Sequence, residues 1–284
     1  MNKSKLFKQY RDYLILKNYS TATKRAYLNS LKHFFNFCQN HRSEFNGIID
    51  YAKAYLLFRF NQGKSWRTVN IDYSSIKSLC EHVLYLDWDI KMIPRPRGEV
   101  RLPTVLSSQQ LERMINQTQN LKHKTILIVF YSSGIRKQEL INLQISDVLL
   151  DRMQLKINQG KGKKDRIINI PQLTCDVIKK YLEKYRPRKY LIESITPNKR
   201  YSATSIAKVI DQSAKRSKVL FNISTHSLRY AYATHHIENG TDLVTLQTQL
   251  GHKKIETTIN YVSLCQIQNR HLNHPIENLN IEID

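Results

Sequence analysis

The chain has 284 residues, 41% of them hydrophobic, and its 45 Lys plus Arg against 23 Asp plus Glu give a formal net charge of +22. That length suits two domains with ordinary cores, and the positive excess favours a polyanionic partner, nucleic acid ahead of an anionic membrane surface. No apolar run approaches the roughly 18 residues of a membrane span, the N-terminal MNKSKLFKQYRDY lacks a signal core, and no glycine loop for ATP is present, so a membrane protein, a secreted protein and an ATPase are all set aside.

Residues 1 to about 90 are expected to be all helix. Tyr27, Leu28, Leu31, Phe34, Phe35 and Cys38 recur at helical spacing after a Ser20/Thr21 start, and Val69, Ile76, Leu79, Cys80, Val83 and Leu84 form a second such face. Residues 1–97 hold 17 basic and 7 acidic side chains, a net +10, which makes this part the more densely positive. A surface for phosphate backbones fits it better than a merely solvated face. Ile90 to Pro103 then breaks the pattern with three prolines, three arginines and no periodicity. It reads as an extended linker. The expected division is a helical domain over 1–92, a linker over 93–103 and a second domain over 104–284.

Ser107 and Gln110 have capping-box spacing, and Leu111, Met114 and Ile115 mark the buried side of the helix they start. Thr125 to Tyr131 is apolar all round and reads as a central buried helix. Gly134 permits a tight turn that leaves Arg136 at the start of the next helix. Met153–Ile157 and the start of Arg166–Ile170 alternate in polarity, and between them Gln159–Asp165 makes a basic, glycine-rich turn, so a β-hairpin is expected. Helices follow at about 173–186 and 203–217. The fold class is therefore mainly α with a small β-sheet.

The C-terminal third concentrates the chemistry. If Ser227 opens a helix, His226 and Arg229 lie one turn apart. Thr241 is a plausible N-cap for a short helix ending at Leu250, and Gly251 suits its left-handed stop, so His252 emerges from a turn. Tyr261 follows on a segment with Ile255, Ile259 and Val262. A phenol delivered to cationic and imidazole groups suggests a nucleophile aimed at an anionic centre. The histidines His226, His235, His236 and His252 lie close in sequence, but no Asp, Glu or Cys completes a metal spacing, so neither metal nor cofactor is expected. His235 and His236 read as helix-surface or packing residues. Cys38, Cys80, Cys175 and Cys265 have no CxxC spacing and read as reduced residues of a cytosolic protein. Beyond Tyr261, Leu264, Ile267, Leu272, Ile276 and Leu279 are spaced for a helix that would dock on a neighbouring subunit.

Five motifs in order, Ser133-Gly-Ile-Arg136-Lys-Gln-Glu139-Leu, Gly160-Lys161-Gly-Lys-Lys-Asp-Arg166, His226-Ser-Leu-Arg229, Leu250-Gly-His252 and Tyr261, resemble the tyrosine recombinases, the phage-type integrases. The resemblance covers nearly the whole chain. Tyr230 stands where many relatives have a second histidine. The resemblance implies a helical core-binding, SAM-like N-terminal domain and a mixed α/β catalytic domain that together clamp DNA. It implies that Tyr261 attacks the scissile phosphate to give a 3′-phosphotyrosine and that Arg136 and Arg229 hold the non-bridging oxygens. Lys161, with Lys163 and Lys164 beside it, would be the general acid, His226 would serve proton transfer, His252 would contact the phosphate, and Glu139 would orient the site from behind.

The implied partner is double-stranded DNA with inverted-repeat core sites, bound as a dimer per site and a homo-tetramer, in the bacterial cytoplasm at the nucleoid. The implied role is integration and excision of a mobile element through a Holliday junction, with Xer-like resolution of chromosome or plasmid multimers as the alternative. Two other readings are a non-catalytic DNA-binding protein on the same fold and a topoisomerase of related mechanism.

Overall fold

A computed structural model of the chain describes residues 3–42, 44–98, 103–158 and 165–265. The chain divides into two compact units, Met1–Arg101 and Leu102–Asp284.

Four helices build the first unit: α1 (Lys3–Leu16), α2 (Thr21–Asn40), α3 (Ile48–Asn61) and α4 (Trp66–His82). Ser20 and Ser65 cap α2 and α4 by accepting the backbone N–H of Thr23 and Thr68. The expected apolar stripes supply the core, with Leu31 and Phe34 of α2 meeting Val69, Ile76, Leu79 and Cys80 of α4. A buried polar cluster fixes the register of three helices. Asp72 accepts from Ser30 Oγ at 2.6 Å and from Arg59 Nε at 2.9 Å, so both oxygens of the buried carboxylate have a partner.

Helix does not continue to residue 90. Val83 is the C-cap of α4, the N–H of Leu84 turns back to Leu79 O at 3.1 Å, and Tyr85 takes a left-handed φ of 54°. The apolar periodicity misleads here because Val83 and Leu84 still pack on the same core from outside the helix. The chain then returns to that core. Trp88 donates to Tyr73 OH at 3.0 Å, and Ile93, the first residue of the expected linker, is buried among the core residues.

In the second unit, α5 (Ser108–Asn116) begins with the expected capping box, and α6 (Leu121–Ser133) is buried on every face from Thr125 to Phe130. Helix α7 (Lys137–Asn142) follows. The sheet has three antiparallel strands in the order β1-β2-β3: β1 (Val148–Leu149), β2 (Gln154–Ile157) and β3 (Arg166–Asn169). The hairpin of β2 and β3 pairs Leu155 with Ile168 and Ile157 with Arg166. Strand β1 has only two residues, too few to show alternation, and Met153 lies in a left-handed turn at φ 52° rather than in β2. Helices α8 (Gln172–Tyr185), α9 (Ala203–Arg216), α10 (Thr225–Glu238), α11 (Leu243–Leu250) and α12 (Glu256–Ile259) complete the unit. Helix α6 packs against both α8 and α10, which makes it the centre of the second core.

Candidate active site

The site forms where α6, α10 and α11 end or begin. Helix α6 stops at Gly134, whose φ of 58° is left-handed. A Cβ at Gly134 would lie 2.4 Å from the Tyr232 ring, so only glycine allows both this turn and this approach. The turn sets Arg136 as the N-cap of α7. Its backbone N–H donates to Glu139 Oε2 at 2.8 Å and its Nη1 to Glu139 Oε1 at 2.9 Å.

Helix α10 starts two residues earlier than expected. Ser224 is the N-cap, in a capping box with Ser227, so Ser227 lies inside the first turn. His226 and Arg229 still share that turn. Arg229 is 3% exposed. Its Nη1 donates to Gly134 O, and its Nη2 reaches Leu250 O at 2.7 Å and His252 Nε2 at 2.8 Å. A guanidinium only donates, so Nε2 of His252 is the acceptor. The proton then sits on Nδ1, which donates to Thr258 Oγ1 at 2.9 Å.

Helix α11 is capped by Asp242, not Thr241. The Asp242 carboxylate accepts two backbone N–H groups, from Val244 at 3.0 Å and Thr245 at 2.8 Å, whereas Thr241 turns its hydroxyl to His236 Nδ1. At the other end Gly251 is left-handed, with φ 63°. The last carbonyls of a helix have no partner within it and carry the negative end of its dipole. Three arginines converge on them. Arg166 Nε donates to Gln249 O at 3.2 Å, Arg229 Nη2 to Leu250 O at 2.7 Å, and Arg136 Nη2 to Gly251 O at 3.1 Å.

Glu139 offsets part of this charge. Arg166 forms a two-pronged pair with it, Nη1 to Oε1 at 2.9 Å and Nη2 to Oε2 at 2.8 Å. Burial opposes ionisation of Glu139, but the hydrogen bonds from Arg166 and Arg136 prevail and bring its pKa down to about 2. Burial and the nearby Arg136 push the Arg229 pKa below its ordinary value.

Tyr261 follows α12 and is 7% exposed. Its ring stacks on His252, with centroids 5.9 Å apart and planes 6° apart, while Tyr230 packs against it at 5.5 Å. His226 keeps much of its surface exposed and lies 6.5 Å from the Tyr230 ring. Desolvation and the positive charges of Arg229, Lys137 and Arg136 lower its pKa, so the imidazole is neutral and able to accept a proton near neutral pH. The structure thus brings Arg136, Glu139, Arg229, His252 and Tyr261 together, with His226 at the edge.

Lys161, Lys163 and Lys164 lie outside the described residues, as do Ile267, Leu272, Ile276 and Leu279. Leu264 lies within them and packs beside Tyr261 and Leu250. The described residues contain no group of three or more His, Cys, Asp or Glu able to hold a metal ion, and no helix long and apolar enough to cross a membrane. His235 bonds Tyr131 OH at 3.0 Å. It lines, with His236 and Leu246, a cavity of about 760 Å³ that includes none of the three arginines.

Residues 104–266 match the phage integrase family, and residues 6–90 match its N-terminal SAM-like domain. The chain belongs to the phage integrase family. As a site-specific tyrosine recombinase, it is 33% identical over 258 residues to tyrosine recombinase XerC of Thermodesulfovibrio yellowstonii, covering 84% of each chain. It is 29% identical over 277 residues to tyrosine recombinase XerA of Pyrococcus horikoshii, covering 96% of this chain and 93% of that one. Its fold is similar to that of a lambda integrase dimer bound to a COC′ core site, with a TM-score of 0.74 at 16% identity over 90% of this chain and 97% of that one.

Two residues of the candidate site do not stand out in the sequence. Arg166 figures there only as the end of the hairpin motif, and nothing draws attention to Thr258. No local pattern marks either: Arg166 is one of many basic residues in its stretch, and Thr258 acquires meaning only when His252 folds onto it.

Proposed function

We propose that this recombinase cleaves DNA with Tyr261 as nucleophile. The phenolic oxygen bonds to the scissile phosphorus, the P–O5′ bond breaks, and the products are a 3′-phosphotyrosine and a free 5′-hydroxyl. His226 accepts the phenolic proton and Lys161 supplies one to the leaving oxygen. Arg136 and Arg229 hold the non-bridging oxygens, a task that suits forked guanidiniums better than a lysine point charge. His252 keeps the Tyr261 ring in place and, as the Nε2–H tautomer with Nδ1 accepting from the Thr258 hydroxyl, donates to the phosphate, and Glu139 orients Arg136. The covalent link retains the energy of the broken bond, so a second 5′-hydroxyl can reverse the step without ATP. The observation that carries this reading is the meeting of Arg136 and Arg229 on adjacent carbonyls beside the stacked His252 and Tyr261 rings.

In this reading residues 1–92 form the core-binding domain, 93–103 link it onward, and 104–284 form the catalytic domain, whose tail docks on a neighbouring copy. The substrate is double-stranded DNA with inverted-repeat core sites, held as a dimer per site and a tetramer per synapse, in the bacterial cytoplasm. The biological outcome is integration or excision of a mobile element through a Holliday junction. The second reading, resolution of chromosome or plasmid multimers, has its support in relatives named XerC and XerA that match most of the chain.

The test is a nicked suicide DNA built from inverted repeats flanking the gene. Wild type yields an adduct that survives detergent, and Tyr261→Phe binds the DNA without yielding one. An adduct in Tyr261→Phe moves the nucleophile elsewhere. No adduct in wild type on any flanking repeat favours the non-catalytic reading. A dimeric plasmid carrying the repeats is resolved under the Xer reading, whereas a circular element joins a target site under the integrase reading.

A further inference from the structure

We propose that Arg166 is a positioning residue for strand cleavage, holding Glu139 and the last turn of α11 in one frame so that Arg136 meets the phosphate in register. This rests on the reading of Arg136 as a phosphate ligand. Arg166 opens β3 opposite Ile157, the last residue of β2, and its side chain is 11% exposed. All three of its nitrogens are engaged. The two terminal ones hold both oxygens of Glu139, and Nε holds Gln249 O. The same carboxylate holds Arg136 through its backbone N–H and its Nη1.

Glu139 is thus a bridge between two guanidiniums, one aimed at the catalytic turn and one anchored in the sheet. Arg136 alone fastens only one side chain to that carboxylate. With Arg166 removed, the carboxylate keeps a single cationic partner, Arg136, and loses its tie to β3 and to the Gln249 carbonyl, so the frame that sets Arg136 against the end of α11 loosens. The position also demands arginine. A lysine brings one compact charge and cannot span a carboxylate and a backbone carbonyl together. The close approach of Gly251 fits the same frame. A Cβ there would lie 2.9 Å from Cδ, Nε and Cζ of Arg166, so glycine lets the α11 turn lie directly against the guanidinium.

The test compares single-turnover adduct formation on nicked suicide DNA carrying either an ordinary scissile phosphate or a neutral methylphosphonate. On the ordinary phosphate Arg166→Gln slows cleavage about 100-fold, as expected for a misplaced catalytic group, while DNA affinity is unchanged. On the methylphosphonate the charge that Arg136 would meet is absent, so the ratio of wild-type to Arg166→Gln rates falls by about tenfold or more, and Arg136→Ala shows the same fall. A general loss of structure slows both substrates alike.

Equal slowing of Arg166→Gln on both substrates, with Arg136→Ala relieved on the methylphosphonate, overturns the proposal. An Arg136→Ala that is not relieved overturns the active-site reading beneath it. Arg166→Lys keeps the charge and the aliphatic stem and carries the same comparison if Arg166→Gln unfolds. A wild-type rate in Arg166→Lys refutes the need for the fork.

Discussion

Arg136 and Arg229 donate to neighbouring carbonyls, Gly251 O at 3.1 Å and Leu250 O at 2.7 Å, so two guanidiniums far apart in the chain are held side by side by one helix terminus. Like charges at close range repel, and α11 supplies three things that oppose this: unpaired carbonyls, the negative end of its dipole, and a glycine turn that faces them. Glu139 adds a full negative charge on the flank. A doubly negative pentacoordinate phosphate would enter a site whose positive charge is already oriented, which is where electrostatic catalysis gets its advantage.

Arg229→Lys should slow cleavage strongly even though charge is retained. The fork serves Gly134 O, Leu250 O and His252 at once, and a single ammonium cannot. Losing one preorganised donor slows turnover by about 10²- to 10³-fold, and an orphaned buried carbonyl destabilises by about 1–3 kcal/mol. Single-turnover adduct formation and a urea midpoint measure the two effects separately. A variant with the wild-type rate would remove Arg229 from the chemistry.

Glu139 makes stability depend on acid. Its folded pKa of about 2 lies below the ordinary carboxylate value of about 4.3 in the unfolded chain. The stabilisation is therefore fully present above about pH 4.3 and is lost as pH falls toward 2, and it amounts to something on the order of 2–3 kcal/mol. Glu139→Gln should be less stable at neutral pH and should show a flatter stability profile between about pH 5 and 2. Denaturant midpoints taken across that range check this. A mutant profile parallel to wild type would assign the acid sensitivity to other groups.

Gly251 and Gly240 separate backbone strain from the function of the site. Both have positive φ, 63° and 89°, so alanine at either destabilises by about 1–2 kcal/mol. Only Gly251 faces an obstacle, the Arg166 side chain, whereas a Cβ at Gly240 meets nothing within 4 Å. Gly240→Ala should thus lower the melting temperature and leave the cleavage rate per folded molecule intact. Gly251→Ala should lower both. Equal cleavage by the two variants would show that the turn tolerates displacement of Arg166.

DNA affinity should fall steeply with salt, since the net charge of +22 favours phosphate contacts and the release of condensed counterions. If six to ten phosphates are contacted, the binding constant drops by about 10³- to 10⁵-fold between 50 and 200 mM salt. Fluorescence anisotropy at graded salt gives the slope. Adduct formation should be unaffected by EDTA, and loss of activity with the chelator would assign a metal to the reaction.

The amino-acid sequence by itself determined most of the elements, because helices and caps are local. Ser20, Ser107 and Gly251 act within a few residues of themselves, and the stripes of α2, α4 and α6 need only their own spacing. It also carried the motifs by which Arg136, His226, Arg229, His252 and Tyr261 could be named. Local patterns failed at Val83, Thr241 and Ser227, where a neighbour competed for the boundary and the better hydrogen bond or the packed core decided it. What only the tertiary structure decided is how the charged groups are held. Arg136 and Gly251 are 115 residues apart, Arg229 and Gly134 are 95, and Arg166 and Gln249 are 83. A buried guanidinium takes whichever carbonyls the packed core brings within about 3 Å, and no pattern along the chain encodes that distance.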